Sequence, residues 1–158
     1  MRRPWNNVNF PVYSLSTKSE QTFNMNICTY VSPVSMHPKM YCIALDYKTL
    51  TYDFVNNSNK AVLQFLNSSH KPIVKPLGKK SGFSFDKIEY LNNKSLLKDW
   101  ESFKVIDNCN AYLLLEKQGS ENINGDHELF WFTVIKTKNV SDKNSLYNQD
   151  LIDAKIIL

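Results

Sequence analysis

The chain has 158 residues and a formal net charge of +4 at pH 7; 42% of its residues are hydrophobic and 13% are aromatic. This length and apolar content predict a single domain over residues 1–158 with its own packed core, and they exclude a disordered chain. The 19 basic residues are spread along the sequence. That dispersion argues against nucleic-acid binding and is compatible with an anionic small ligand.

Neither a membrane span nor a secretion signal is expected. No apolar run reaches the 18 residues of a spanning helix, and the first residues contain no apolar leader. The cysteines Cys28, Cys42 and Cys109 are odd in number and lack the CxxC spacing of a metal site. We therefore expect a cytoplasmic protein with free thiols.

The first part of the sequence predicts three strands and a short helix. Alternating apolar and polar residues indicate strands at 11–16 and 22–31. The nearly continuous apolar sequence at 40–45 indicates a strand buried on both faces. Thr49 or Thr51 can cap a short helix, whose apolar residues are Leu50, Phe54 and Val55.

The rest of the sequence predicts four further strands, at 61–66, 103–107, 110–117 and 127–138. About seven strands with one or two short helices, and no βαβ pattern, predict a mainly β fold that closes into a barrel. The tail at 139–158 is polar and then apolar. We expect it to pack onto the barrel or onto a partner chain.

The common catalytic motifs are absent. The sequence has no G-x-S-x-G, no H-E-x-x-H, no Walker loop and no G-x-G-x-x-G, and its histidines and cysteines lack metal-ligand spacing, so no metal site is predicted. One anion-binding device remains, where Lys48, Thr49 and Thr51 lie at a predicted helix start. Taken alone, an ordinary capped helix with an exposed lysine is the simpler interpretation of this segment.

Five segments in order resemble the flavin reductase-like family, the FMN-binding split β-barrels. They are PVYSLST at 11–17, Asn24 with Thr29, VSMHP at 34–38, MYCIAL at 40–45 and YKTLT at 47–51. Downstream, AVLQFL, LGKKSGFSFDKI and GDHELFWFTV follow in the order that the family shows. The likeness covers residues 10 to about 138 and depends on the order and spacing of the segments.

The resemblance implies a homodimeric split barrel with FMN, or FAD, at the subunit edge. It also implies an oxidoreductase in which NADH or NADPH gives a hydride to flavin N5, with electrons passing to free flavin, a partner monooxygenase or another acceptor. The chain has only two arginines, Arg2 and Arg3. Because arginine commonly holds the 2′-phosphate of NADPH, this scarcity favours NADH.

The resemblance also assigns candidate site residues. Those expected to face the flavin ring are Asn24, Asn26, Ile27, Cys28 and Thr29. Those expected to hold ribityl and phosphate oxygens are Ser35, Lys48, Thr49 and Thr51. His127 is the candidate catalytic residue, placed to touch the flavin or the nicotinamide, although a histidine between Asp126 and Glu128 also fits an ordinary strand end.

Departures from the family pattern keep alternatives open. Ile27 and Tyr30 stand where the family more usually has Thr and Trp, which favours as an alternative an FMN-binding carrier module with little turnover. The pI of about 8.9 and the aromatic content motivate a third hypothesis, a nucleic-acid-binding barrel. Lys79 and Lys80 are interpreted as part of a solvated loop rather than as steering charges.

Overall fold

Nine strands dominate the computed structural model, which describes residues 3–157. The strands are β1 (Tyr13–Ser19), β2 (Thr22–Met25), β3 (Val31–Met36), β4 (Lys39–Asp46), β5 (Lys60–Phe65), β6 (Leu97–Trp100), β7 (Phe103–Ile106), β8 (Ala111–Asn122) and β9 (His127–Asn139). Strands β6 and β7 form a separate hairpin, and the other seven form one antiparallel sheet in the order β2-β1-β5-β8-β9-β4-β3. The mainly β fold class is confirmed.

Four short helices connect or cover the strands. They are α1 (Leu50–Asn56), α2 (Lys71–Lys79), α3 (Lys87–Asn93) and α4 (Asn148–Asp153), with single 3₁₀ turns at Pro4–Asn7 and Ser68–His70. Thr49 caps α1, as predicted, because its side chain accepts from the N–H of Tyr52. Among the helices of residues 3–157, none combines the length and the apolar character that a membrane crossing requires.

The chain between β2 and β3 joins the two edges of the sheet. Tyr13 of β1 and Cys28 exchange both backbone hydrogen bonds, at 2.9 and 2.8 Å, and the N–H of Ala44 in β4 donates to the carbonyl of Tyr30 at 3.0 Å. Residues 28–30 therefore contact β1 on one side and β4 on the other, which closes the sheet into a barrel.

Two strand predictions were wrong in detail. The strand expected at 22–31 ends at Met25, because the side chain of Asn26 accepts from the N–H of Leu15 at 2.8 Å and so replaces a backbone acceptor. The strand expected to be buried on both faces, β4, instead alternates buried and half-buried residues. Its less buried face lies where a barrel strand meets solvent or the cleft described below.

The sheet separates two apolar clusters. On one face, side chains of the strands pack with Val55 of α1, and the largest buried members include Leu15, Leu63, Phe130 and Phe132. The opposite face is covered by α2, α3, the β6–β7 hairpin and the segment around α4. Neighbouring residues such as Leu114 and Leu115 fall into different clusters, as the period of two in a strand requires.

The tail packs onto its own barrel, one of the two expected outcomes. Leu146 and Leu151 are buried in the helix-covered cluster. Backbone bonds from Val12 to Leu146 at 2.8 Å and from Leu146 to Leu66 at 3.1 Å fix the tail to the body of the domain. Leu146 and Leu151 therefore anchor the segment 139–157 to the core, while most of its other residues lie at the surface.

A buried polar network surrounds His70. The backbone N–H of Asn67 donates to Nδ1 of His70 at 3.1 Å, so Nε2 carries the ring proton and donates to the carbonyl of Asp107 at 3.0 Å. The Asn67 side chain donates in turn to Asn110 Oδ1 at 3.1 Å. The neutral ring thus ties the connection after β5 to the connection between β7 and β8.

Gly119 is expected to be a sensitive position in the β8–β9 hairpin. A Cβ atom there would lie 2.5 Å from Cζ2 of the facing Trp131 ring. Gly119→Ala should therefore displace the indole and lower the free energy of unfolding by about 1–3 kcal/mol. Urea unfolding followed by tryptophan fluorescence measures both effects.

Gly125→Ala is the matched control, because the nearest atom to its added Cβ is 4.0 Å away. We expect this variant to unfold at the wild-type urea concentration. Equal stability of the two variants would contradict the packing argument.

The stability of the protein should fall in mild acid because of His70. Burial lowers the pKa of this side chain below the ordinary 6.5. As the pH falls through 6.5, His70 therefore takes up a proton in the unfolded chain but not in the folded chain. The free energy of unfolding thus decreases as the pH falls below that value. Urea midpoints between pH 7.5 and 5 test this.

His70→Gln should lose two buried hydrogen bonds, at a cost of about 1–3 kcal/mol, together with part of the acid sensitivity. His37→Gln, at an exposed turn, should retain the wild-type profile. A His70→Gln profile that parallels the wild type would refute the assignment.

Candidate functional site

An open cleft of about 480 Å³ lies where three parts of the chain meet. One wall is the closing segment 26–30, the second is the turn from β4 into α1, and the third is the end of α2 with the loop 80–82. We call this the main cleft. Its lining residues run from Asn24 to His127 in the sequence, and the barrel closure brings them together.

The main cleft gathers nine of the ten predicted site residues. They are Asn24, Asn26, Ile27, Cys28, Thr29, Lys48, Thr49, Thr51 and His127. Ser35 is not among the lining residues. It lies on β3, which leaves the cleft after Tyr30 and pairs with β4 at the edge of the sheet, where Ser35 faces Met40.

A buried hydrogen bond braces the floor of the main cleft. Asn24 on β2 donates from Nδ2 to the hydroxyl of Thr51 in α1 at 3.0 Å. Gly82 closes over this pair so tightly that a Cβ atom there would lie 2.8 Å from Oδ1 of Asn24. These two predicted site residues therefore hold the three walls together.

The start of α1 is an ordered turn rather than a set of free hydroxyls. Thr49 donates from Oγ1 to the carbonyl of Asp46 at 2.8 Å while capping the helix, and the N–H of Lys48 donates to Oδ1 of Asp46 at 2.8 Å. The groups left for a ligand are the ammonium of Lys48 and the amides of Leu50 and Thr51, since the amide of Tyr52 already donates to Thr49.

The closing segment presents a neutral surface. Ile27 packs against Gly78 of α2, where a Cβ atom would lie 3.2 Å from the Cβ of Ile27. Cys28 is buried, and burial raises the pKa of its thiol to about 12. The thiol therefore stays protonated at neutral pH and is unreactive.

His127 lies at the rim of the main cleft as the first residue of β9. Its Nδ1 is 2.6 Å from Oδ1 of Asp126, and this hydrogen bond lowers the pKa of that carboxyl. The imidazole ring lies 5.1 Å from the ring of Tyr30, which is 60% exposed. The histidine is thus oriented from two sides.

Four lysines give the main cleft its charge: Lys48, Lys79, Lys80 and Lys87. Asp46 is the only carboxylate among the lining residues. Within residues 3–157, none of the four lysines takes part in an ion pair. Lys79 and Lys80, interpreted from sequence as a solvated loop, are exposed and also line the cleft, which therefore favours an anionic ligand.

Lys87 is a functional candidate that the sequence interpretation missed. It is only 6% exposed, and burial lowers the pKa of its ammonium group to about 8. Its neighbour Asp86 is occupied as the cap of α3, accepting from the N–H of Glu89 at 2.9 Å. Its position four residues before the buried Leu91 places Lys87 on the inner face of α3, a signal available once that helix is recognised.

Titratable side chains elsewhere form no metal centre. Among the residues that the structure describes, no group of three His, Cys, Asp or Glu side chains is placed to hold a metal ion. The described cysteines all lie apart as free thiols.

Comparisons with known proteins place this geometry in a family. The model of the Flavin reductase like domain matches residues 5–153. An FMN-binding protein from Thermus thermophilus is 17% identical with a TM-score of 0.77, over 88% of this chain and 75% of that one. A flavoredoxin from Methanosarcina acetivorans is 18% identical with a TM-score of 0.74, over 88% and 75%.

A third solved structure, nitrilotriacetate monooxygenase component B from Mycobacterium thermoresistibile, is 14% identical with a TM-score of 0.77, over 90% of this chain and 77% of that one. A comparison with curated proteins finds no match. The structural likenesses confirm the split-barrel fold, and the family model spans nearly the whole sequence. The chain belongs to the flavin reductase-like family.

Proposed function

We propose that this chain binds FMN in the main cleft and acts as an NAD(P)H-dependent oxidoreductase. The observation that carries the proposal is the meeting of four unpaired lysines with a neutral, amide-bearing wall in one cleft of a flavin reductase-like barrel. FMN combines the same two features, an anionic phosphate and a neutral hydrogen-bonding ring. The names of the Thermus and Methanosarcina proteins support this choice.

The residues present fit FMN. The volume of about 480 Å³ lies within the range of about 300–1,000 Å³ that small-molecule sites occupy. Lys48 and Lys80, with the first-turn amides of α1, would hold phosphate oxygens. The segment 26–30 would face the ring. Bound flavin supplies the redox chemistry that the side chains of the cleft lack.

The chain's own residues would bind and orient the flavin without reacting with it. The bond from Asn24 to Thr51 braces the floor of the cleft. The protonated thiol of Cys28 does not compete as a nucleophile. His127, held by Asp126, would contact the flavin or the nicotinamide and place a ring nitrogen beside it.

A second copy of the chain and an electron acceptor complete the proposal. Val34 and Met36 are exposed on the edge strand β3, which follows the exposed Tyr30 in the chain. These apolar side chains support a homodimer formed along this edge. The fold shared with a monooxygenase component supports a partner monooxygenase, with free flavin as the other acceptor. NADH is favoured over NADPH by the scarcity of arginine.

A carrier module that binds FMN with little turnover is the second candidate. Ile27 is used to pack α2 onto the closing segment, and Tyr30 is mostly exposed. Ile27 lacks the hydroxyl, and Tyr30 lacks the indole, that the family resemblance leads one to expect. Turnover, rather than binding, separates the two candidates.

Purified protein should bind added FMN and become yellow. We expect a dissociation constant in the micromolar range or below, which corresponds to a binding free energy of about −8 kcal/mol or stronger. Under anaerobic conditions, NADH or NADPH should bleach the flavin absorption. Binding without bleaching would identify the carrier module. Failure to take up FMN on titration would refute both candidates, and a salt-sensitive shift with oligonucleotides would then favour nucleic-acid binding.

Lys87→Met should weaken FMN binding about tenfold, because it removes a buried cation that has no carboxylate partner. Since the pKa of Lys87 is about 8, wild-type affinity should also fall as the pH rises through 8. The variant should lack that part of the pH dependence. Fluorescence titration of FMN between pH 7 and 9.5 measures both quantities.

Lys94→Met is the matched control, since Lys94 follows α3 and does not line the cleft. Its FMN affinity should equal that of the wild type at every pH. Unchanged affinity in Lys87→Met would remove Lys87 from the binding site.

A further inference from the structure

A second, smaller hollow of about 200 Å³ adjoins the main cleft. We call it the tail pocket, because the chain around and after α4 supplies part of its lining. Its apolar walls are Ile27, Val74, Leu151, Ile156 and Ile157. Backbone bonds from Ile156 and Ile157 to the carbonyl of Leu151, at 2.9 and 3.4 Å, fold this segment back over the hollow.

The size of the tail pocket suits one small ring. An apolar cavity of about 150 Å³ is enough to bind benzene, and the tail pocket exceeds that volume. The FMN ring system, with three fused rings, is too large for it. An aliphatic lining of this kind makes favourable contacts with a planar apolar molecule.

The polar groups of the tail pocket select an oxygen-bearing ligand. Thr29, Lys79 and Asn148 are its polar lining residues, and each can donate a hydrogen bond. Lys79 forms no ion pair with any other residue of 3–157. Because no carboxylate lines the hollow, its charge matches an anionic or strongly polarised oxygen.

The two cavities share one wall. Ile27, Thr29, Gly78 and Lys79 line both of them. The wall is tightly packed at Gly78, where an added Cβ atom would lie 3.2 Å from the Cβ of Ile27. A molecule in the tail pocket is therefore separated from the main cleft by a single layer of side chains.

We propose that the tail pocket is a binding site for a monocyclic planar molecule that carries a carboxylate or carbonyl oxygen. The ring lies among the aliphatic side chains, and the oxygen accepts from Lys79, Thr29 or Asn148. The ligand would lie behind the wall that faces the proposed flavin site, a relation that rests on the proposed function. The binding itself does not depend on flavin.

Benzoate is the probe, with benzyl alcohol as its neutral counterpart. Binding to the wild-type protein, with and without FMN, is measured by calorimetry or by ligand-observed NMR. Ile156→Trp fills the hollow from a half-buried position and should weaken benzoate binding at least tenfold, about 1.4 kcal/mol. Lys79→Met should weaken benzoate binding and bring it to the level of benzyl alcohol.

Lys75→Met is the matched control, because Lys75 lies one turn earlier on α2, is exposed and lines neither cavity. It should bind benzoate like the wild type. Ile157→Trp provides a second filling variant if Ile156→Trp fails to fold, as judged by its thermal melt. Benzoate that does not bind, or that binds both filling variants like the wild type, would overturn the proposal.

FMN titration of Ile156→Trp separates this inference from the proposed function. Retained FMN binding with lost benzoate binding supports two distinct sites. If the protein takes up no FMN but binds benzoate, and Ile156→Trp weakens that binding, the proposed function is refuted and the tail-pocket proposal is supported. Equal binding of benzoate and benzyl alcohol by the wild type would overturn the role of Lys79.

Discussion

The paired backbone bonds between Tyr13 and Cys28 are the contact on which the candidate site depends. They close the barrel, and the same segment that closes it forms the neutral wall of the main cleft. Since Tyr30 is bonded to β4 on the other side, the wall is held at both of its ends. Its side chains are therefore positioned by the fold itself, which reduces the ordering cost that a ligand must meet on binding.

The lysines of the main cleft fall into two physical classes. Lys48, Lys79 and Lys80 are exposed, so their attraction for an anion is screened by salt and acts mainly on approach and capture. Lys87 is buried and forms no ion pair with any other residue of 3–157, and its charge is far less screened. Burying an unpaired charge destabilises the fold, and such costs are concentrated at functional sites.

The number and spacing of the apolar strands in the sequence predict the barrel, and nine of the ten site residues named by its motifs line one cleft. The sequence does not predict the features that depend on tertiary contacts. The edge strand β3 contains Pro33 and mostly exposed residues, and β6 reads as polar, so neither has the pattern of a core strand. Lys87 escapes notice because nothing in its own side chain signals burial.

The lowered pKa of Lys87 has a consequence for chemical reactivity. With a pKa of about 8 in place of 10.5, this side chain carries roughly two orders of magnitude more free amine at neutral pH than an ordinary lysine. A free amine is the form that condenses with aldehydes and attacks activated esters. An anionic aldehyde that enters the main cleft would therefore meet a nucleophile there, and Lys87 is the residue of the cleft to which such a reagent should attach.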